Sequence, residues 1–362
     1  MTLTGSLLKR LPAPLLGIDV SASSVKLVEL GRQRDGSLVL ERCALEPLPP
    51  GCINDGNVEQ FDAVADALRR LIRRSGTRTR QAALALPSSA VITKKVAVPQ
   101  DLSEPELEAQ VEAEASQYIP FSLDEVSLDF CVIGPCEGPA SGLDVLIAAS
   151  RRERVQDRQG LAEAAGLKSV ILDIESFAAR LAAVRLVDIL LAEGAAEGAP
   201  MVALFEVGAY STGMQVLRGG DVLYDRDQAF GGAQLTQQIA RAYGLSPEEA
   251  EQRKRRGDLP ADYAAALLRP FVSDMAQDIA RALQFFFTST PHHRVDCVML
   301  AGGCAGLPGL AEAVARLTSF ACRAVDPFAG MRVGPAAGAD SLKGQAPSYL
   351  TACGLALRRF LQ

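Results

Sequence analysis

The chain has 362 residues, a net charge of −6 and no tryptophan. That length calls for about two domains, and the acidic balance with few aromatic residues excludes a general nucleic-acid binder, which needs cations and stacking platforms. Only two histidines occur, the adjacent pair His292 and His293, which excludes a zinc site or a Ser-His-Asp triad because each needs separately placed imidazoles.

The eight cysteines form no C-x-x-C and read as buried thiols. At the start, MTLTGSLLKRLPAPLL places Lys9 and Arg10 after a short apolar patch. It lacks a long apolar core, so no signal peptide is expected. No run of about 18 apolar residues follows, and the expectation is a cytoplasmic chain without a membrane span.

The stretch Leu15 to Leu30, LLGIDVSASSVKLVEL, reads as strand, tight turn, strand. The amides and hydroxyls of Ser21, Ser23 and Ser24 stand clear of bulky side chains and can wrap a phosphate group. Asp19 can hold a hydrated Mg²⁺, which prefers one or two carboxylates plus phosphate oxygens, and Lys26 can offset phosphate charge. An ordinary hairpin with a polar turn fits the same residues. A third strand, Ser37 to Leu45, makes a meander. After a Pro/Gly-rich connection, Phe61, Val64, Leu68 and Leu71 fall on one helical face, and Ala82 to Leu86 reads as a strand.

A different rhythm follows from Ser88 to Ser150. Val91 to Val98 alternates as a strand. Ser103-Glu104-Pro105-Glu106 has capping-box spacing for a helix through Tyr118. Strands at Val126 to Ile133 and Leu143 to Ala149 flank a loop with Gly138 and Pro139. This block reads as an inserted subdomain, and such additions more often present a binding surface than chemistry. Glu153 to Ala165 reads as a helix and Lys168 to Leu172 as a strand. Asp173 is expected to cap a long helix to about Glu193, with a small-residue linker from Gly194 to Pro200.

The pattern then repeats. Residues 204–217, LFEVGAYSTGMQVL, align Glu206 with Asp19, Gly208 with Ser21, Ser211 with Ser24 and Leu217 with Leu30. Such self-similarity decides a fold: one hairpin per half, with an anionic ligand between the turns. Gly219-Gly220 marks another hairpin. Helices are expected over Gln234 to Tyr243, from Ser246 with a basic tip at Arg253 to Arg256, and over Pro270 to Thr288. The strand Asp296 to Ala301 runs into Gly302-Gly303, where bare backbone can lie against a flat ring, or where glycine serves only its dihedrals. A helix from Pro347 to Leu361 closes the chain.

Two hairpin phosphate loops and a late strand–Gly-Gly–helix element resemble the duplicated, ribonuclease H-like α/β fold of the actin-like ATPases. Within that group the chain is similar to the PilM family of type IV pilus assembly. The match is carried by LLGIDVSASSVKLVEL, SSAVITKKV, EAEASQYIPFSLDEVSLDF, LYDRDQAFGGAQLTQQI, RALQFFF, LAGG and ACGLALRRF, with Gln117-Tyr118-Ile119-Pro120-Phe121 the most specific part.

The resemblance implies ATP and Mg²⁺ in the cleft between the halves. Ser21, Ser23, Ser24 and Lys26 would meet the phosphates from one side and Gly208, Ser211 and Thr212 from the other. Gly302 and Gly303 would flank the adenosine, with Asp19 and Glu206 near the metal. Glu206 stands where the fold usually has Asp, which argues for weak or no hydrolysis. Asp173 and Glu175 are the candidate water-orienting groups.

The implied organisation is a first actin-like domain over 1–87 and 151–194, with a partner-binding subdomain inserted at 88–150. A second actin-like domain covers 195–346, and a C-terminal helix, 347–362, returns to the first. The implied role is an adaptor at the inner membrane. It binds the N-terminal cytoplasmic peptide of PilN between the first domain and its insertion, and links it to pilus motor components. The alternatives are an FtsA-like filament former and a small-molecule kinase of the same fold, which would need a carboxylate base beside a substrate hydroxyl.

Overall fold

The structure is a computed structural model that describes residues 13–136, 142–192, 198–338, 342 and 344–361. The expectations for Lys9 and Arg10, for Gly138 and Pro139 and for the start of the linker at Gly194 lie outside these residues. Leu16–Ser21 (β1) and Ser24–Arg32 (β2) form the antiparallel hairpin, with Ser21 opposite Ser24 and only Ala22 and Ser23 in the turn. Leu38–Pro47 (β3) continues the meander.

Within the expected connection, Ile53–Asn54 (β4) and Asn57–Val58 (β5) make a small hairpin. Its tip, Asp55-Gly56, has φ of 46° and 76°, the positive pair that a type I′ turn requires. Phe61–Ser75 (α1) buries Val64, Leu68 and Leu71 as its periodicity dictates. Gln81–Leu86 (β6) runs parallel to β1.

Val91–Pro99 (β7), Glu104–Tyr118 (α2), Val126–Pro135 (β8) and Gly142–Arg151 (β9) form a separate block, an antiparallel sheet in the order β7-β9-β8. The Ser103–Glu106 capping box is formed at the start of α2. Val96, Val98, Val111, Ala115, Val145 and Ile147 give this block its own core.

The chain returns through Arg152–Ala164 (α3) to Lys168–Ile174 (β10), parallel to β6, and then Glu175–Ala192 (α4). Asp173 is therefore not the cap of α4. It pairs in register with Ala85 inside β10, and its carboxylate is taken by the Arg358 guanidinium at 2.6 and 3.0 Å.

The second half comprises Met201–Val207 (β11), Thr212–Arg218 (β12), Asp221–Gln228 (β13), Ala233–Tyr243 (α5), Pro247–Arg256 (α6), Arg269–Ser289 (α7), Cys297–Ala301 (β14), Leu310–Thr318 (α8) and Ala321–Ala324 (β15). A π-helical turn, Ala264–Leu268, leads into α7. Its sheet order, β13-β12-β11-β14-β15, repeats β3-β2-β1-β6-β10 of the first. The duplication seen in the turns thus extends to whole sheets.

Arg332–Val333 (β16) joins the free edge of β3, and Leu350–Leu357 (α9) packs on β1 and α4. The expected single terminal helix is α9 between two 3₁₀ turns, Ala346–Tyr349 and Arg358–Phe360; Pro347 in the first turn has no amide to donate to a longer helix. A Cβ at Gly354 would lie 1.7 Å from the Ala178 carbonyl oxygen, and one at Gly17 would lie 2.1 Å from that of Ala352. Bare backbone is what lets α9 wedge between sheet and α4. One buried cluster runs from Val28 and Leu30 through Ala179, Ala183, Leu350 and Ala356 to Val202, Leu204 and Met299, and so joins the two halves. Each fully buried aliphatic side chain in it contributes about 1.5–3 kcal/mol.

Candidate functional site

The first bend carries its own countercharge. Asp19 and Lys26 are opposite each other in the β1–β2 register, and Lys26 Nζ donates to Asp19 Oδ2 at 2.7 Å and to Ser21 Oγ at 2.8 Å. Ser21 Oγ in turn donates to the Ser24 carbonyl at 3.0 Å. Ser24 is buried, while Ser23 is partly open in the turn.

In the second bend, Val207 faces Thr212 and four residues form the turn. Gly208 N–H donates to the Ser211 carbonyl. The Gly208 carbonyl accepts from Gly232 N–H and from the Cys304 thiol. Ser211 is exposed. Thr212 is fully buried, and its hydroxyl is spent on the Phe230 carbonyl at 2.9 Å. Thr212 thus offers no hydroxyl to a ligand, a correction to the sequence expectation that follows from its inward place at the start of β12.

Opposite Glu206 the register puts Gly213, not a lysine. Glu206 instead accepts a hydrogen bond from the Thr351 hydroxyl of α9 at 2.9 Å. Burial pushes its carboxyl up to about 7, with the charges of Asp19 and Asp225 adding to the rise and Thr351 and Lys26 opposing it. Glu175, first residue of α4, is pushed up to about 8 by burial and then by Asp19, against the pull of Arg158. Carboxylates from β1, from the connecting helix α4 and from β11 therefore share one desolvated crevice with too few cations. Burial is the main cause of both rises, and the Asp19 charge adds to it. Of the two catalytic candidates, Glu175 is in this crevice and Asp173 is held in its ion pair with Arg358.

The Gly-Gly pair divides its labour. Gly302 has φ of 88°, and a Cβ there would sit 2.5 Å from the Val207 carbonyl oxygen. It serves the turn and the close approach of β14 to β11. Gly303 has open space where a Cβ would go, which is the bare backbone that a ring could approach. Cys304, next in the chain, interacts electrostatically with Lys254 and Glu251 of α6.

These α6 residues escaped the sequence reading, which saw only a basic tip. Lys254 Nζ donates to Thr236 Oγ1 at 2.7 Å, and that hydroxyl donates to Glu251 Oε2 at 2.6 Å. Burial pushes the Glu251 carboxyl up, but Lys254 and the hydrogen bonds outweigh it and hold it at about 2. The i,i+3 spacing of Glu251 and Lys254 was the available signal. Among the described residues no group of three or more His, Cys, Asp or Glu side chains could hold an ion directly.

A second feature is a groove of about 300 Å³ between the β4–β5 tip and the inserted block, lined by Asp55, Ser89, Ile92, Ile119, Phe121 and Arg154 among others. Ile119, Pro120 and Phe121 of the specific motif all line it. The Arg151 guanidinium stacks on the Phe121 ring at 4.1 Å, which fixes that wall.

Two related halves around a polar crevice, with a strand–Gly-Gly turn at its back, define the actin-like ATPase fold. The chain is 31% identical to a solved chain described as the PilM-PilN type IV pilus biogenesis complex, with 95% of this chain and 98% of that one covered and a TM-score of 0.77. The model of the family described as type IV pilus assembly protein PilM matches residues 17–360, and the chain belongs to that family. The ethanolamine utilization protein EutJ from Carboxydothermus hydrogenoformans shares the fold at 18% identity, with a TM-score of 0.55 over 96% of this chain and 90% of that one. No described helix is long and apolar enough to cross a membrane.

Proposed function

We propose that this chain is an ATP-binding adaptor of the type IV pilus inner-membrane assembly complex, holding the N-terminal cytoplasmic peptide of PilN in the groove beside the inserted block. The observation that carries the nucleotide half of this reading is the pair of polar bends at matching places in the two sheets: Asp19, Ser21 and Lys26 are hydrogen-bonded in the first, and Glu206 precedes the open Gly208–Ser211 turn in the second. Mg²⁺ with ATP fits that donor set and the open backbone at Gly303.

Ser21, Ser23, Ser24 and Lys26 would hold the phosphates from the first bend, and the backbone of Gly208 with the hydroxyl of Ser211 from the second. Asp19, with Glu206 behind it, would hold the metal through water. When bound, Mg²⁺ neutralises phosphate charge and orders the triphosphate.

Glu206 is tied to Thr351, and Glu175 holds its proton at neutral pH in the free chain. Glu206 also carries one methylene more than the aspartate usual at this place, so slow or absent hydrolysis is the expected behaviour. The peptide half rests on the groove and on the described partner of the 31% identical relative. Membrane attachment would come through PilN, and the pilus motor would be reached through the same complex.

The test is calorimetric titration of the chain with Mg-ATP, and fluorescence anisotropy with a synthetic peptide of the PilN N-terminus. Saturable binding of both, with nucleotide lost in Lys26→Ala and peptide lost in Phe121→Asp, is the expected result. Unchanged nucleotide affinity in Lys26→Ala, or unchanged peptide affinity in Phe121→Asp, would reject the corresponding half.

A further inference from the structure

The six-stranded sheet of the first half has two unlike ends. One carries the first bend and faces the crevice with its carboxylates. At the other, Leu16 lies beside Ala82 and Glu29, Gln81 beside Lys168, Arg32 beside Leu38, and Arg332 of β16 beside Val39. Arg32, Arg34, Arg78, Arg80, Lys168 and Arg332 emerge at this far end, and all are exposed. Six strands spaced at about 4.8 Å spread them over about 25 Å.

Direct contacts join these groups into one surface. The hydroxyls of Thr77 and Thr79 both donate to Glu29, which pins the loop holding Arg78 beneath the end of β2. The Lys168 N–H donates to the Arg80 carbonyl at 2.7 Å. Arg332 donates to Gln33 Oε1 at 2.6 Å, and the Arg32 guanidinium lies over the Phe360 ring at 5.1 Å. Among the described residues none of the six cations is ion-paired with a carboxylate. Asp35, at the hairpin tip, accepts from the amide and hydroxyl of Ser37, and Glu41 packs against Gly31 and Gly334. In a chain of net charge −6 this end therefore gathers an excess of positive charge. Apolar side chains stand among the cations: Val333, next to Arg332, is 50% exposed, and Leu361, next to Phe360, is 59% exposed. An open recess of about 500 Å³, walled by Arg32, Arg34, Val39 and Glu41, leaves room for a headgroup.

We propose that this end of the first sheet docks on an anionic lipid surface. Guanidinium forks match the oxygens of phosphate headgroups, and Val333 and Leu361 reach the boundary where headgroups give way to acyl chains. Charge complementarity selects the occupant, since each cation held near an anionic leaflet strengthens binding about fivefold. A nucleic acid strand would instead need open aromatic rings to stack on, and Phe360 is already taken by Arg32 and Arg359. The proposal goes beyond the functional reading above, in which the membrane is reached through PilN. This contact is direct and needs neither nucleotide nor peptide. One weak attachment gives only reversible binding, and a second holds a protein at the surface.

The experiment is co-sedimentation of the full chain with vesicles of phosphatidylcholine alone or of phosphatidylcholine carrying phosphatidylglycerol, at low and high salt. Wild type is expected to bind the anionic vesicles at low salt, to ignore the neutral ones, and to be released as salt shortens the reach of the charges. Arg34→Gln combined with Arg332→Gln should weaken binding about 25-fold, at about fivefold per cation. Arg255→Gln combined with Arg256→Gln makes the same change of net charge on α6, and should leave binding unchanged. All four positions are exposed, and melting temperature reports that each pair folds. Should Arg332→Gln not fold, Arg34→Gln combined with Arg78→Gln takes its place.

Absence of binding, equal binding to neutral and anionic vesicles, or an equal loss in both pairs of variants overturns the proposal. So does tighter binding to a DNA duplex than to the anionic vesicles, which assigns this end to nucleic acid. Each of these results leaves the nucleotide and peptide sites standing. A chain that binds vesicles but neither nucleotide nor peptide would bring down the functional reading and keep this surface.

Discussion

The two bends are the same device built to different specifications. The first is a two-residue turn that places Lys26 against Asp19, so its carboxylate is neutralised within the hairpin itself. The second is a four-residue turn with Gly213 at the corresponding register position, and Glu206 is answered by a neutral hydroxyl from α9. Duplication preserved the sheet order and not the electrostatics.

The largest effect should come from Lys26→Met. It strands Asp19 as a buried, unpaired carboxylate, and the expected loss is about 3–5 kcal/mol of unfolding free energy by chemical denaturation. A loss under 1 kcal/mol would mean that Asp19 finds another partner and that the first bend is not self-neutralised.

Next in size is the contrast between neighbouring glycines. Gly302→Ala imposes φ of 88° on a residue with a Cβ and a clash with the Val207 carbonyl, at a cost of about 1–3 kcal/mol. Gly303→Ala should leave the melting temperature almost unchanged and weaken nucleotide binding. Equal stability of the two variants would show that the turn is not strained as described.

Thr351→Val removes the hydroxyl that donates to Glu206 and should cost about 1–3 kcal/mol. The same carboxyl gives a pH signature. Its pKa in the folded chain, about 7, lies above the ordinary Glu value, so the folded state holds the extra proton. Stability from this group is complete below about pH 4.5 and is lost as pH rises through 7. Glu206→Gln should flatten the decline in melting temperature between pH 5 and 8.

The smallest effect separates the two adjacent hydroxyls of the second bend. Thr212→Val should cost about 1 kcal/mol of stability with nucleotide affinity intact. Ser211→Ala should do the reverse.

Short-range order was legible in the sequence. Apolar runs around a small-residue turn, and the repeat of that pattern, placed β1, β2, β11 and β12; the Ser103–Glu106 spacing placed the start of α2, and the Gly219-Gly220 pair placed a hairpin. Each depends on residues a few positions apart, where spacing alone fixes geometry. The partners that define the site were not legible. Nothing local marks Arg358 as the partner of Asp173 or Thr351 as the donor to Glu206, since these contacts are made by residues far apart in the chain. Asp173 had the look of a helix cap because Asp before an Ala/Leu-rich run is one. The strand extended through it because β6 offered a pairing partner as far as Leu86. The basic residues of α6 looked like a solvated tip because their countercharges, Glu249 and Glu251, sit within the same helix.

The wedge of α9 has a consequence for biosynthesis. Strand β1 leaves the ribosome long before the helix that covers it, which is seated through Gly17 and Gly354. The amino-terminal half must therefore wait, partly uncovered, while the whole second half is translated. Nascent chains stalled before residue 350 should accordingly be far more sensitive to protease in residues 16–32 than in residues 201–218.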